Sequence, residues 1–261
     1  MKKMFLILLF FSFISCVFAK QLSYTSDTGT MYFDDGTYIL KSGESGTYKG
    51  NIVNGKREGD FALYFKNGNL KSKYRCKNNK REGIFTTYFE NGNISGLLNY
   101  TNDKLSGPFK TYFENGNLKG EGNYKNGKIN GNYKDYTEDG HLKQDCIFVN
   151  DVAEGPFKTF FKDGKIESKG TFKNGKQQGL VAFYYSNGNL KAETNFENGV
   201  VNGQFKFYYE NGNLKAEGNT MVEKIEGLVK GYDENGNYMG LRYFVNGVMY
   251  NSKQDYLDSL E

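Results

Sequence analysis

The sequence contains no tryptophan, two prolines, one histidine and three cysteines among its 261 residues. Proline is scarce, while glycine (33), tyrosine (21) and phenylalanine (22) are abundant. This composition favours β-strands joined by glycine turns over helices or disorder. The single histidine, His141, has no recurring partner residues, so we interpret it as a turn residue and not as a catalytic or metal-binding one.

A strong net charge is also absent. The formal charge of +4 includes Lys2 and Lys3, which lie in a segment that we expect to be removed. From Lys20 onward, 32 basic and 30 acidic residues remain, which leaves a net charge of +2. This balance gives no reason to expect a nucleic-acid partner.

The first nineteen residues combine a basic start, an apolar run from Met4 to Phe13 and a small-residue exit, which is the pattern of a secretory signal peptide. The alternative is a retained membrane helix, but Met4 to Ala19 spans 16 residues, and a membrane helix needs about 20. We therefore predict export to the periplasm, the outer membrane or the cell exterior. Phe13 to Cys16 approximates a bacterial lipobox, so Cys16 either leaves with the signal peptide or carries a lipid anchor.

A 24-residue repeat organises the rest of the chain. Its eight copies run without insertion, and a period of this length indicates an array in which each unit packs against its neighbours. A second glycine keeps the same step from Gly59 to Gly227. The glycines that we predict to occupy hairpin turns are Gly68, Gly92, Gly116, Gly140, Gly164, Gly188, Gly212 and Gly236.

Each repeat predicts one β-hairpin. Asn-Gly pairs such as Asn115-Gly116 separate two apolar-rich runs, and this dipeptide favours a two-residue type I′ turn. Opposite charges then face each other across the strands, which supports the register. The predicted pairs in this repeat are Glu114 with Asn117, Phe113 with Leu118, Tyr112 with Lys119, Thr111 with Gly120, Lys110 with Glu121 and Phe109 with Gly122.

Large apolar residues form two columns on one predicted face, and small residues between them would allow close packing. The first column is Phe61, Phe85, Phe109, Tyr133, Phe157, Val181, Phe205 and Val229. The second column is Leu70, Ile94, Leu118, Leu142, Ile166, Leu190, Leu214 and Tyr238.

We therefore predict an all-β fold, an elongated antiparallel β-hairpin meander of eight 24-residue repeats. The predicted divisions are a signal peptide (1–19), an N-terminal cap with one degenerate repeat (20–53), the array (54–244) and a C-terminal cap (245–261). In that last cap, Tyr256, Leu257 and Leu260 indicate a short helix. Cys76 and Cys146 would lie roughly 28 Å apart across such a sheet, too far for a disulfide.

The repeat unit resembles a known family. Tyr-Phe-Glu-Asn-Gly-Asn-Leu-Lys at 112–119, followed by Tyr-Lys-Asn-Gly-Lys-Ile-Asn-Gly at 124–131, is similar to the bacterial variant of the MORN repeat (membrane occupation and recognition nexus). Proteins built mainly of this variant are often labelled YwqK-type antitoxins of toxin-antitoxin systems. The resemblance implies an elongated sheet that acts as a scaffold, a protein-binding surface or a membrane-associated module, although a cytoplasmic antitoxin would need no signal peptide.

No residue pattern predicts catalysis, a cofactor or a metal site. Carboxylates recur before the turns at Glu90, Glu114, Glu138, Glu210 and Glu234, but Lys66 and Lys162 replace them in two repeats, which is typical of solvated turns. Phosphate-binding glycine loops open a helix, whereas these glycines join strands. We therefore expect a protein that is not an enzyme.

One aromatic column, which we call the tyrosine row, is predicted to point away from the apolar columns: Tyr64, Tyr88, Tyr112, Tyr136, Phe160, Tyr184, Tyr208 and Tyr232. Together with lysines such as Lys119 and Lys215, the row is a candidate surface for a partner protein, glycan or lipid headgroup. The alternative, which we favour, is a second packed layer produced by curling of the sheet or by a β-bulge.

These observations predict an exported repeat protein that binds another macromolecule of the bacterial cell envelope. A protein partner is the leading expectation, and the oligomeric state is open. One alternative is an antitoxin-like inhibitor of a cognate toxin. Another is an array that binds cell-wall carbohydrate or lipid, although the lack of tryptophan weakens the carbohydrate case.

Overall fold

The computed structural model describes residues 22–26, 29–33, 36–42 and 46–260, and it describes side chains from Thr47 onward. The predicted signal peptide and Cys16 lie outside the described residues. No helix in the described part of the chain has the length and apolar character that crossing a membrane requires.

The described residues form strands throughout, followed by one short helix. The elements are β1 (Leu22–Ser26), β2 (Gly29–Phe33), β3 (Gly36–Ser42), β4 (Gly46–Val53), β5 (Lys56–Arg57), β6 (Gly59–Tyr64), β7 (Leu70–Lys77), β8 (Lys80–Tyr88), β9 (Ile94–Thr101), β10 (Lys104–Leu105), β11 (Gly107–Tyr112), β12 (Leu118–Lys125), β13 (Lys128–Ile129), β14 (Gly131–Tyr136), β15 (Leu142–Val149), β16 (Val152–Phe160), β17 (Ile166–Lys173), β18 (Lys176–Gln177), β19 (Gly179–Tyr184), β20 (Leu190–Glu197), β21 (Val200–Tyr208), β22 (Leu214–Met221), β23 (Lys224–Tyr232), β24 (Tyr238–Val245), β25 (Val248–Tyr250) and α1 (Lys253–Asp258).

Strands β3 to β25 form one long antiparallel sheet in chain order, and this sheet is open. Strands β1 and β2 pair with each other. Within each repeat an outgoing strand, such as β11, pairs with a return strand, such as β12, and that return strand pairs with the outgoing strand of the next repeat. The predicted antiparallel hairpin meander is therefore confirmed.

The hairpin turn within each repeat differs from the predicted type. Phe113 N–H donates to the Asn117 carbonyl at 2.8 Å, and Gly116 N–H donates to the Phe113 carbonyl at 2.9 Å. Only the glycine of the Asn115-Gly116 pair has a positive φ, +89°. The loop therefore has three residues and ends in a left-handed glycine, and the predicted two-residue type I′ turn is wrong here.

This longer loop shifts the cross-strand register near the turn. Lys110 lies opposite Glu121, as predicted, but Tyr112 lies opposite Leu118, so Lys119 is the extra residue of a β-bulge. The predicted pairs of Tyr112 with Lys119, Phe113 with Leu118 and Glu114 with Asn117 are therefore wrong. The same shift recurs in all eight predicted repeats.

Type I′ geometry occurs instead where one repeat joins the next. Asn126 and Gly127 both have positive φ, +53° and +84°, between the paired residues Lys125 and Lys128. Asparagine fits this turn because its short side chain tolerates the left-handed conformation. One junction is unusual, since Val222 adopts φ +48° at a position that is asparagine in the equivalent turns.

Hydrogen bonds join successive turns along both sides of the sheet, where the strands end. On one side, the side-chain amide of Asn117 donates to the Glu138 carbonyl of the next turn at 2.9 Å, and the contact recurs from Asn69 to Glu90, from Asn93 to Glu114, from Asn189 to Glu210 and from Asn213 to Glu234. On the other side, Gly127 N–H donates to the Leu105 carbonyl at 2.8 Å. The side-chain amide contacts explain why asparagine recurs at the hairpin turns.

The apolar face contains the core. Phe109 is 5% exposed, and its ring centre lies 4.5 Å from that of Tyr124 and 6.3 Å from that of Tyr133. The first predicted column is largely buried, with Val181 fully so. The second column does not share this face, and the prediction that both columns lie on one face is wrong. The β-bulge places its members directly opposite the tyrosine row, as with Leu118 opposite Tyr112 and Tyr238 opposite Tyr232, and Ile94 and Tyr238 are exposed. Cys76 and Cys146 are free, buried thiols on the apolar face, and burial raises the pKa of each to about 11.

The chain ends in the predicted short helix. Its N-cap residue, Ser252, accepts a hydrogen bond from Asp255 N–H at 3.0 Å. The Tyr256 ring packs against Tyr243 and Tyr250, with centre distances of 6.0 and 5.2 Å. Leu257 and Leu260 are exposed, so the helix contact with the sheet that these rings show is made by Tyr256.

Candidate functional site

The tyrosine row lies on the face opposite the core. The hydroxyls of Tyr136 and Tyr208 donate to the carboxylates of Glu121 and Glu193, each at 3.0 Å. Glu121 itself lies opposite Lys110, with Lys110 Nζ at 3.4 Å from a carboxylate oxygen. We call the face that carries the row and these charged pairs the polar face.

A fixed spacing links the row to the charged residues of the preceding return strand. Five of the eight rings contact a charged side chain fifteen residues earlier: glutamates approach Tyr136, Tyr208 and Tyr232, whereas lysines lie over Tyr88 and Tyr184. The Lys73 amine is 5.9 Å from the centre of the Tyr88 ring, and the Lys169 amine is 5.3 Å from that of Tyr184.

The sequence left open whether the tyrosine row is a binding surface or a second packed layer, and these contacts bear on that choice. All eight side chains are half-buried. A β-bulge is present beside each of them, as the favoured alternative anticipated. Charged side chains contact Tyr136 and Tyr184, while the Tyr238 ring lies 5.7 Å from that of Tyr232. The row is thus an aromatic stripe with apolar residues directly across the strands, such as Leu118 opposite Tyr112, and charged side chains beside it.

The surroundings of the row change its acid-base behaviour. Burial, together with the hydrogen bond to Glu121, raises the pKa of Tyr136 to about 12, and burial with the bond to Glu193 does the same for Tyr208. At neutral pH both hydroxyls are therefore protonated donors. They hold the glutamates in place and offer no proton-transfer chemistry near pH 7.

Lys119 and Lys215 do not join the row. Their amines lie over the turn aromatics Phe113 and Tyr209, at 5.5 and 5.2 Å from the ring centres. The bulge explains this placement, because Lys119 is the extra residue of the return strand and sits beside the turn. A second contact joins the turns to the row, since the Tyr209 hydroxyl donates to the Tyr232 carbonyl at 2.9 Å.

His141 lies in an exposed turn, as predicted. Its Nε2 is 3.7 Å from a carboxylate oxygen of Asp139, and Asp139 forms a 2.6 Å ion pair with Lys162 of the next turn. That ion pair holds the pKa of Asp139 at about 2. It occurs where the ladder of asparagine amides is interrupted by His141. The residues that the structure describes contain no group of three or more histidine, cysteine, aspartate or glutamate side chains placed to hold a metal ion.

The polar partners of the row were missed by sequence reasoning. These partners occupy the same position of five return strands: Lys73, Glu121, Lys169, Glu193 and Glu217. A signal was present, because these residues always precede a row residue by fifteen positions. The bulge hid it, since the assumed turn gave those residues only their cross-strand partners.

The open sheet, the constant hairpins and the repeated contacts between turns define the class: a repeat protein whose units are antiparallel β-hairpins. The family model for the MORN repeat variant matches seven ranges of the chain. They are residues 81–102, 105–126, 129–150, 153–174, 177–198, 201–220 and 225–246. Since these ranges cover more than half of the sequence, the chain belongs to the MORN repeat variant family.

The first of the eight predicted repeats lies outside those matches, so the family model supports seven repeats. Its strands β6 and β7 nevertheless form the same hairpin with the same bulge, between Leu63 and Tyr64. A MORN repeat array is consistent with a binding or scaffold module.

No curated protein sequence matches the chain. Among solved structures, the chain is similar to a crystal structure of TcdB2-TccC3, with 11% identity and a TM-score of 0.22 over 88% of this chain and 15% of that one. It is also similar to TcdB2-TccC3-TEV, with 11% identity and a TM-score of 0.23 over 89% of this chain and 16% of that one. The chain thus spans about a sixth of those much longer proteins.

Proposed function

We propose that this protein is a non-enzymatic, exported repeat protein that binds another macromolecule of the bacterial cell envelope through its polar face. The observation that carries the proposal is the tyrosine row, whose half-buried rings alternate with carboxylates and ammonium groups along the array. Aromatic rings beside charges are suited to contacts with a large polar partner.

The regularity of the row supports binding of an extended partner. An aromatic ring recurs in every repeat, whereas the residue fifteen positions earlier varies and is a glutamate, an aspartate, a lysine or, at Leu97, an uncharged residue. A surface with a constant aromatic stripe and variable charge provides common contact area plus position-specific selectivity. The N-terminal nineteen residues, with their signal-peptide pattern, support the envelope location. Inhibition of a cognate toxin stays an alternative prediction.

The test compares two sets of charge reversals that change the net charge equally. The first set is Lys110→Glu, Lys158→Glu and Lys206→Glu on the outgoing strands of the polar face. The control set is Lys125→Glu, Lys173→Glu and Lys224→Glu at the turns that join repeats. Each purified mature protein is immobilised and incubated with envelope extract, and the retained material is quantified by mass spectrometry and sugar analysis.

The proposal predicts that material enriched by the unaltered protein is lost with the first set and retained with the control set. Equal retention by both sets would show that the polar face is not the binding surface. Reproducible substrate turnover by the purified mature protein would contradict the non-enzymatic part.

A further inference from the structure

One strand differs from all other return strands in its charge. The exposed face of β7 carries Lys71, Lys73, Arg75 and Lys77 in succession, and all four side chains are exposed. At the equivalent positions, each of the return strands β4, β9, β12, β15, β17, β20, β22 and β24 has at most two cations. Several of them mix signs; β20, for example, has Lys191, Glu193 and Glu197.

The cations of β7 are poorly compensated. Lys73 lies opposite Ala62 and Thr86, and Lys77 lies opposite Lys80, so only Arg75 has acidic residues across from it. Within the described residues, none of the four β7 cations takes part in an ion pair of 4 Å or less. Alternate residues of a strand are about 6.6–6.8 Å apart, so Lys73, Arg75 and Lys77 form a line of about 13 Å. Lys71 is the extra residue of the β-bulge and extends the positive charge toward the turn.

The surroundings extend this line on the polar face. Ala62 of β6 lies between two lysines, because Lys73 of β7 pairs with it on one side and the exposed Lys49 of β4 pairs with it on the other. The Lys73 amine rests over the Tyr88 ring of the tyrosine row, and the Lys71 amine lies 5.4 Å from the centre of the Phe65 ring. Like charges held together without partners disfavour folding. A linear anion bound along the strand would offset that cost.

The geometry constrains what this anion is. Both edges of β7 are occupied by β6 and β8, so a peptide cannot add to the sheet as a further strand. The rings beside the strand are partly covered by the lysine amines, which leaves poor platforms for the base stacking that single-stranded nucleic acids use. Recognition must come from charge along a flat surface.

We propose that the polar face of the first repeats, centred on β7, binds a linear polysaccharide that carries carboxylate groups. This proposal rests on the proposed function and names a partner class for one end of the same face. Lysine suits such a polymer because its flexible stem places a point charge without demanding a fixed bidentate geometry. Arg75 differs from the lysines because it lies opposite Asp60 and Glu82.

The experiment measures binding of fluorescently labelled polygalacturonate to the full mature chain by anisotropy. Its methyl-esterified form, which keeps the backbone and loses the charge, is the polymer control. If four cations release counterions as on a single-stranded polyanion, affinity falls roughly 50-fold between about 50 and about 200 mM salt. The methyl-esterified polymer is expected to show no such binding.

Two quadruple variants locate the site. The first is Lys71→Gln, Lys73→Gln, Arg75→Gln and Lys77→Gln. Its control removes the same charge from other return strands: Lys119→Gln, Lys125→Gln, Lys191→Gln and Lys215→Gln. The first variant is expected to lose at least about tenfold in affinity at low salt, and the control less than about threefold. Equal losses would overturn the proposal, because they would mean attraction by net charge alone.

Lysine acetylation of the unaltered protein gives a readout that does not depend on how the variants fold. Bound polygalacturonate is expected to protect Lys71, Lys73 and Lys77 and to leave Lys191 and Lys215 reactive. Equal protection of both groups would contradict the proposal. Tighter binding of polyglutamate or oligothymidylate than of polygalacturonate would overturn the choice of a polysaccharide. Absence of polygalacturonate binding with intact capture of envelope material would refute this inference and leave the proposed function standing.

Discussion

Val222 provides a sharp test of the repeat geometry, because it occupies a conformation that its side chain disfavours. Its φ is +48°, in a turn where the equivalent residues, such as Asn126 and Asn198, are asparagine. A left-handed residue other than glycine costs about 1–2 kcal/mol, and β-branching adds to the strain. Val222 is 66% exposed, so little packing is lost on replacement.

Val222→Asn is therefore expected to stabilise the protein by about 1 kcal/mol, which corresponds to a rise in melting temperature of about 2–4 °C for a chain of this size. Thermal unfolding followed by circular dichroism measures the shift. Hydrogen exchange at the Glu223 amide, which donates to the Val201 carbonyl at 2.9 Å, should slow as the turn is relieved.

The matched control is Val248→Asn. Val248 is also exposed, at 55%, but it lies in strand β25 and has no positive φ. The Val248→Asn variant is expected to have an unchanged or slightly lower melting temperature, because asparagine is a poorer strand residue than valine. An unchanged or lowered melting temperature for Val222→Asn would refute the argument from backbone strain.

Three further predictions follow from the packing and charge of the array. Gly170→Ala would place a methyl group 2.8 Å from a Val181 methyl, so it should destabilise the protein by about 1–3 kcal/mol in urea unfolding; Gly231→Ala, whose nearest new contact is at 4.0 Å, should be neutral or stabilising, and equal effects would contradict the packing. Lys162→Gln should raise the pKa of Asp139 from about 2 toward the usual 3.8 in an NMR titration, because the ion pair with Lys162 favours the ionised carboxylate. The stability that the ion pair contributes is present above pH 3.8 and is lost as the pH falls toward 2. An unchanged pKa would argue against the pair. The two buried cysteines should react with Ellman's reagent only after unfolding, since burial raises their pKa to about 11, and rapid labelling of the native protein would disprove their burial.

Much of the fold was predictable because the repeat constrains it eight times over. Each glycine of the two repeating series, the turn glycines and the series from Gly59 to Gly227, has a positive φ, as with Gly116 at +89° and Gly131 at +98°. The predicted charge pairs of Lys134 with Asp145 and Lys206 with Glu217 are also confirmed. Single-residue preferences of this kind are local, and repetition removes the ambiguity that one copy would leave.

The turn type could not be predicted from the dipeptide alone. Asn-Gly fits both a type I′ turn and a three-residue loop that ends in a left-handed glycine. The choice depends on contacts with the neighbouring repeat, such as the amide bond from Asn117 to the Glu138 carbonyl. Those contacts are formed between residues more than twenty positions apart, so a search within one hairpin misses them.

The polar partners of the tyrosine row could not be identified within a single hairpin for the same reason, although a spacing of fifteen residues links them across repeats. With the assumed turn, Glu121 faces only Lys110, whereas in the structure it also accepts a hydrogen bond from Tyr136 of the next repeat. The bulge beside each row residue and the approach of successive hairpins bring the two side chains together. The macromolecule that the protein binds has no comparable local signature in the sequence, because its recognition depends on the charge pattern of a whole face.

A deletion experiment tests the central claim, that the chain is a ladder of interchangeable 24-residue hairpins, most directly. Removal of residues 129–152 takes out one full period and joins Lys128 to Ala153, which preserves the faces of the following strands. Removal of residues 129–151 leaves one extra residue and shifts every later side chain toward the opposite face. The account predicts cooperative thermal unfolding and native-like circular dichroism for the first deletion, and their loss for the second. Equal behaviour of the two deletions would contradict it.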